Sequence, residues 1–172
     1  YLDGGYHIPT AHPGLNGELD PTAYRTETFD TFSLQTSTAR SQGVAEGSRI
    51  DGDAFYAWLY PTLCINRYGD MMDVNIIEAA GPGHIRVIFD YFFDESAASS
   101  TKERIADALV LSEQIQHEDA WLSDRVQRGK ASLGYDRGRY VPRVELAEHH
   151  FHKLLHADYR REIGDAVTAE SG

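Results

Sequence analysis

An α+β fold, with helices packed on one antiparallel sheet, is expected for this chain, and three observations predict it. Strand-like runs joined by short turns occupy residues 26–93. Two long stretches with helical spacing follow them. The strands and the helices are therefore segregated along the sequence rather than alternating.

Each element has its own reason. Residues 1–12 read as the end of a helix or a helix–loop segment, with Pro9 and Pro13 limiting its regularity because proline fixes φ and lacks the amide donor. Residues 13–22 are turn chemistry, hence a loop. Thr26–Thr38 alternates loosely and carries Thr, Phe and Tyr neighbours, so one strand is expected there. Ser41–Asp53, rich in Gly, Ser and Asp, reads as a loop. Ala54–Tyr60, Leu63–Tyr68, Met71–Ala79 and His84–Phe93 read as strands, separated by Pro61, Gly69-Asp70 and Gly81-Pro82-Gly83.

After Asp94 the period changes. Ile105, Ala108, Ser112, Ile115, Leu122 and Val126 are spaced by three, four and seven, which predicts a helix over Thr101–Arg128. Ser99 or Ser100 would cap it, and Gly129 and Gly134 follow its end. Tyr135–Val144 reads as a loop and Glu145–Gly164 as a second long helix.

The 172 residues suit one domain with a sizeable core. A formal charge of −11 with no basic cluster argues against nucleic acid and anionic membrane as partners, and is compatible with a cationic substrate. One cysteine, Cys64, lies in an apolar run and excludes a disulfide within the chain. No apolar stretch reaches the roughly 20 residues of a membrane span, and no signal peptide is visible, so a cytoplasmic protein is expected. The chain opens almost directly on a His-rich motif, which reads as a fragment or one half of a longer polypeptide.

Four constellations bear chemistry. His7 and His12 form a His-x4-His pair, and imidazole suits Fe, Zn, Cu and Ni. Residues five apart lie about 140° apart on an ideal helix, so one ion can take both only if the segment bends, for which Pro9 gives a reason. Asp119 falls where the helical stripe expects its next apolar residue. It either pairs with an arginine, meets a water-filled cleft, or binds a metal. His149, His152 and His156 share one helix face and compete as a zinc site, with His150 beside them. Finally, Tyr56, Trp58 and Tyr60 share one sheet face and are candidates for a cage around a quaternary ammonium group. No phosphate-binding loop, dinucleotide fingerprint or nucleophile elbow is present.

The stretch Leu2-Asp3-Gly4-Gly5-Tyr6-His7-Ile8-Pro9-Thr10-Ala11-His12 resembles the iron motif of Rieske-type non-haem iron oxygenase α subunits. The resemblance continues through 54–61, 65–69, Glu118-Asp119, 126–129, 135–140 and 149–152, and is strongest to the choline monooxygenase-like branch. It covers essentially the whole chain.

The resemblance implies a helix-grip (START/Bet v 1-like) fold, in which a curved antiparallel sheet packs around a long C-terminal helix, with residues 1–172 as a single catalytic domain. It implies mononuclear Fe(II) on His7, His12 and Asp119, a facial triad that leaves positions open for O2 and substrate. It excludes the His149–His152 stretch from the iron site.

Family members carry an acid three residues before the first histidine, which helps pass electrons between subunits. Here that position is Gly4, and Asp3 is the candidate to stand in as a catalytic residue. The family's N-terminal Rieske domain needs two cysteines and two histidines for its [2Fe–2S] cluster. With one cysteine this chain cannot hold it, so the cluster is expected on a missing domain or another chain. Electrons would come from NAD(P)H through a reductase, and a homotrimer is implied. The expected reaction is O2-dependent monooxygenation of a carbon beside a quaternary nitrogen, or of an aromatic ring. The alternative is a binding module of the same fold without oxygenase activity.

Overall fold

The computed structural model describes residues 3, 5–12, 20, 22–38, 53–95 and 101–170, with side chains followed as far as residue 163. A single helical turn, α1 (Ile8–Ala11), opens the chain. Six strands follow: β1 (Arg25–Thr28), β2 (Phe32–Thr38), β3 (Asp53–Leu59), β4 (Leu63–Tyr68), β5 (Met71–Gly81) and β6 (His84–Phe93). Two long helices, α2 (Lys102–Lys130) and α3 (Leu146–Glu170), complete it. Every strand pairs antiparallel with its sequence neighbour, in the order β1-β2-β3-β4-β5-β6.

The stretch expected as one strand, Thr26–Thr38, is a hairpin. The Phe29 amide donates to the Phe32 carbonyl at 2.8 Å, and the two rings stack with centroids 4.3 Å apart across the turn. No Gly or Pro marks that turn, and only Asp30 hints at it. The β4–β5 hairpin is more legible. Gly69 has φ +61° while among the described residues no non-glycine residue has positive φ, which is the type II′ pattern with glycine at the first central position.

Asp53 begins β3, and the rest of the expected Ser41–Asp53 loop lies outside the described residues, as do Ser99 and Ser100. Thr101 caps α2 instead, its hydroxyl accepting from the Arg104 amide at 3.3 Å. The helix continues through Gly129 to end at Ala131. Of its expected stripe, Ser112 is buried and Ile105, Ala108, Ile115 and Leu122 are half-buried, but Val126 is 53 % exposed. That end of α2 has passed the sheet's cover.

The core joins the two layers. Ala54, Tyr68 and Met71 are buried together, with Ile8, Tyr24 and Ala108 packed against them, so α1 and α2 both rest on the sheet. The C-terminal helix α3 packs on β1 and β2. Trp58, 3 % exposed, meets Phe151 of α3 edge-to-face with centroids 4.8 Å apart. The Tyr60 hydroxyl donates to Asp158 at 2.5 Å, and this bond pushes its pKa up to about 12.

Cys64 is buried and unpaired. Burial pushes its thiol up to about 12 from 9.0. A raised pKa favours the folded chain at low pH, and that contribution fades as the pH rises from the unfolded value toward the folded one. Native protein should therefore resist iodoacetamide at pH 8 and be alkylated only once denatured. Mass spectrometry reads this directly, and rapid labelling of native protein would contradict the burial.

Candidate metal centre

The centre is assembled from the first turn of the chain and the middle of α2. Asp3 and Gly5 shape the approach. Gly5 has φ +77°, and a Cβ there would meet Ile8 Cδ1 at 3.0 Å and the Tyr24 ring at 3.2 Å, so only glycine fits. His7 caps α1, Pro9 follows in its first turn, and His12 leaves helical geometry with φ −124° and ψ 73°. That departure swings the His12 ring back toward His7. The bend that spacing five requires is thus present, and the ring centroids stand 5.0 Å apart.

Three donor atoms converge. His7 Nε2 and His12 Nε2 are 3.1 Å apart. Asp119 Oδ1 lies 3.0 Å from His12 Nε2 and 3.6 Å from His7 Nε2. Ligands about 2.1 Å from one ion stand about 3.0 to 3.4 Å apart at right-angled to tetrahedral spacing. Two sides of the triangle fall within that range, and the His7–Asp119 side exceeds it by about 0.2 Å. Among the described residues, His7, His12 and Asp119 form the group able to hold a metal ion.

The outer nitrogens fix the chemistry of the inner ones. His7 Nδ1 lies 2.7 Å from Asp3 Oδ2, and His12 Nδ1 lies 2.7 Å from Glu118 Oε2. A carboxylate accepts only, so a proton on each Nδ1 would satisfy both contacts and leave each Nε2 lone pair free to ligate an ion. Two lone pairs and a carboxylate oxygen then face one point. A cation at that point resolves their repulsion, so the donor set fits a metal.

The supporting carboxylates are tuned accordingly. Burial alone would raise Asp3, but its hydrogen bonds from His7 outweigh this and hold it at about 2. The His12 bond, helped by Gln114, holds Glu118 below the usual glutamate range. Both depressed values support the folded site at neutral pH, and that support is lost as the pH falls through the carboxylate range. Asp3 also accepts from the Gly5 and His7 amides, which anchors the loop.

Glu118 was missed as a functional position by spacing, because it lies off the stripe that marked Asp119. Replacing Glu118 with alanine should weaken metal binding by about 10–100-fold. Glu118→Gln, which keeps an acceptor oxygen, should be milder. Chelator competition measures both, and equal affinities across the three proteins would show that His12 needs no such support.

Among the described residues Asp119 meets no arginine; it lines a cavity of about 350 Å³ between α2 and the sheet. Tyr56 lines the same cavity, but Trp58 and Tyr60 do not. They share its strand face as expected, yet α3 covers that end of β3 and takes both rings into its own packing. Beside Tyr56, the same sheet wall carries polar residues that the sequence reading did not single out: Asn66, Asp73 and Asn75. A larger open groove on the far side of α1, lined by Tyr6, Pro9, Val110 and Trp121, reaches His7 and Glu118.

His149, His152 and His156 are all exposed on α3. The His152 ring is engaged by the Tyr140 hydroxyl, and the Tyr140 ring lies 4.9 Å from His149. They form no metal-holding group among the described residues.

Known proteins share this layout. Choline monooxygenase, chloroplastic, of Arabidopsis thaliana is 45 % identical over 157 residues, covering 91 % of this chain and 37 % of that protein. Putrescine 2-hydroxylase of Ralstonia nicotianae is 23 % identical, covering 94 % and 48 %. A solved quaternary ammonium Rieske monooxygenase, described through carnitine oxidation by gut microbiota and inter-subunit electron transfer, superposes with a TM-score of 0.71. It is 26 % identical over 90 % of this chain and 44 % of that one. The chain thus spans less than half the length of these relatives. Residues 1–160 match the family described as the ring hydroxylating alpha subunit, catalytic domain. With the sheet-and-helix frame shared and nearly the whole sequence matched, the chain belongs to the ring-hydroxylating oxygenase α-subunit catalytic-domain family.

Proposed function

We propose that this chain is the catalytic domain of a Rieske non-haem iron monooxygenase acting on a quaternary ammonium compound. The observation that carries the proposal is the convergence of His7 Nε2, His12 Nε2 and Asp119 Oδ1, each ring oriented by its own carboxylate. In this reading the three residues hold Fe(II). Bound ferrous iron supplies O2 activation, with positions left open by a three-residue ligand set.

The residues of the chain do the rest. Asp3 and Glu118 hold the Nδ1 protons of His7 and His12, so both rings present the neutral, ligating face. The cavity beside Asp119 takes the substrate and excludes bulk water from it. Tyr56 offers a ring face to a quaternary nitrogen. The names of the plant relatives and of the solved monooxygenase support that substrate class.

Electrons must come from elsewhere. A [2Fe–2S] Rieske cluster on a further domain or chain, fed by NAD(P)H through a reductase, is the proposed source. The open groove that reaches His7 and Glu118 fits the approach of that donor. Asp3 hydrogen-bonds His7 directly, so the electron-bridging role expected of it reduces to positioning His7 and lying on the path to it. Oligomerisation, as a trimer, fits the exposed Ile76, Ile88 and Phe92 of β5 and β6.

No helix among the described residues is long and apolar enough to cross a membrane. The plant relatives are named as chloroplastic, whereas the sequence reading expected the cytoplasm. One buried free cysteine suits the reducing interior of either.

Hydrogen peroxide bypasses the electron supply and separates oxygenase from binding module. The Fe(II)-loaded chain given choline and peroxide should form the oxidised product. Choline bound but never oxidised, with iron in place, would favour the binding module.

A further inference from the structure

We infer that Asn75 is a substrate-positioning residue: its amide oxygen accepts a hydrogen bond from a hydroxyl or N–H of the substrate, and so fixes which part of that molecule lies at the metal centre. This rests on the proposal that the substrate occupies the cavity beside Asp119.

The neighbouring polar groups of the cavity wall are partnered. Asn66 Nδ2 donates to Asp73 Oδ1 at 2.7 Å, and the Tyr68 hydroxyl donates to Asp73 Oδ2. Asn75 comes next on the inner face of β5, paired with Cys64 on one side and Phe89 on the other. A phenyl ring has no donor and a thiol is a weak one. Asn75 lines the cavity and is 8 % exposed, yet its Oδ1 has no hydrogen-bond partner among the described residues.

A buried acceptor left unmade is costly, and native proteins leave few of them. The Cβ–Cγ torsion of asparagine is broad, so the amide can turn its oxygen toward a donor that enters the cavity. Water satisfies such an acceptor only until a ligand displaces it, and a ligand without a donor then leaves the oxygen unmade.

The fold brings Asn75 level with the metal ligands. At one end, Ala108 of α2 and Phe93 of β6 pack on the same core cluster. At the other, a Cβ on Gly83 at the hairpin tip would lie 3.7 Å from Gln127 Nε2 of α2. The helix therefore follows β5 and β6 lengthwise. It covers about 28 Å between those points at 1.5 Å per residue, and the strand covers about 33 Å. Asp119, a little past the middle of that span, stands over the Asn75–Phe89 and Ile77–Val87 pairs. Of these four lining residues, Asn75 alone has a polar side chain. A quaternary nitrogen has no N–H, so this contact reads a different part of the substrate from the part that ring faces hold.

Calorimetry with two cations of equal charge tests this: choline and its O-methyl ether, which lacks the donor. Choline should bind the parent chain at least about fivefold tighter than the ether. Asn75→Ala, with its fold checked by circular dichroism, should bring the two to within about twofold and leave the affinity for the ether nearly unchanged. A merely structural role would weaken both ligands alike and keep their ratio. The inference is overturned if the ether binds the parent as well as choline does, or if the variant keeps the parent's ratio. Should the variant fail to fold, the ratio on the parent chain decides. Equal binding of the two cations would sink the role of Asn75 alone, whereas binding of neither would sink the quaternary ammonium reading and this inference with it.

Discussion

Asp119→Ala is expected to lower Fe(II) affinity at least about a hundredfold while leaving the metal-free fold within about 1 kcal/mol of the parent. The asymmetry comes from where Asp119 sits. Its side chain is 39 % exposed, facing the cavity rather than a close-packed core, so truncation leaves little void. Its carboxylate is also the one anion in the converging triangle, and two neutral imidazoles hold a divalent ion far less well. Metal stabilises whichever state binds it, by about 2.7 kcal/mol at a hundredfold excess over Kd. Wild-type chain should therefore gain thermal stability on anaerobic Fe(II) addition, and the variant should gain almost none. An unchanged Fe(II)-dependent shift in the variant would remove Asp119 from the ligand set.

Trp58→Ala is expected to destabilise the chain by about 3–5 kcal/mol, the cost of emptying a buried aromatic site. The ring is wedged between β3 and α3, edge-to-face on Phe151 and against Tyr60. With it gone, α3 keeps its contacts to β1 and β2 and the Tyr60–Asp158 bond but loses its central anchor. Hydrogen exchange should accelerate along α3 first. Tyr56→Ala should cost clearly less stability, because Tyr56 is only half-buried against the cavity, yet it should weaken ligand binding. Denaturant midpoints and calorimetry on the two variants check the contrast. A Trp58→Ala chain that is nearly as stable as the parent but fails to bind choline would return Trp58 to the substrate site.

How far the sequence alone reached depends on which forces it had to weigh. The strands from Ala54 to Phe93 were legible because turn residues punctuate them on a short, regular spacing. The β1–β2 hairpin was not, because its reversal is built from stacked Phe29 and Phe32 rather than from Gly or Pro. Asp119 was legible as a break in an apolar stripe, though the break reflects a cavity under the helix rather than a charge sealed in the core.

His7 and His12 needed the resemblance as well as the spacing. Only the non-helical backbone of His12 makes a five-residue separation converge. The polar wall was hidden by inversion. In β4 and β5 the apolar Ile65, Val74 and Ile76 alternate with Asn66, Asp73 and Asn75, and ordinary patterning would turn the apolar set inward. Here the polar set is buried, because the inner face borders a cavity instead of a close-packed core. Trp58 and Tyr60 went astray for a related reason: sharing a strand face with Tyr56 does not mean sharing its neighbour, when two helices divide that face between them.

X-ray absorption of the Fe(II)-loaded chain tests the metal centre most directly. Outer-shell scattering from two imidazole rings is expected, collapsing to one in His7→Ala with much weaker iron retention. Scattering from three rings that survives His7→Ala, or none at all, would contradict the placement of the metal between α1 and α2.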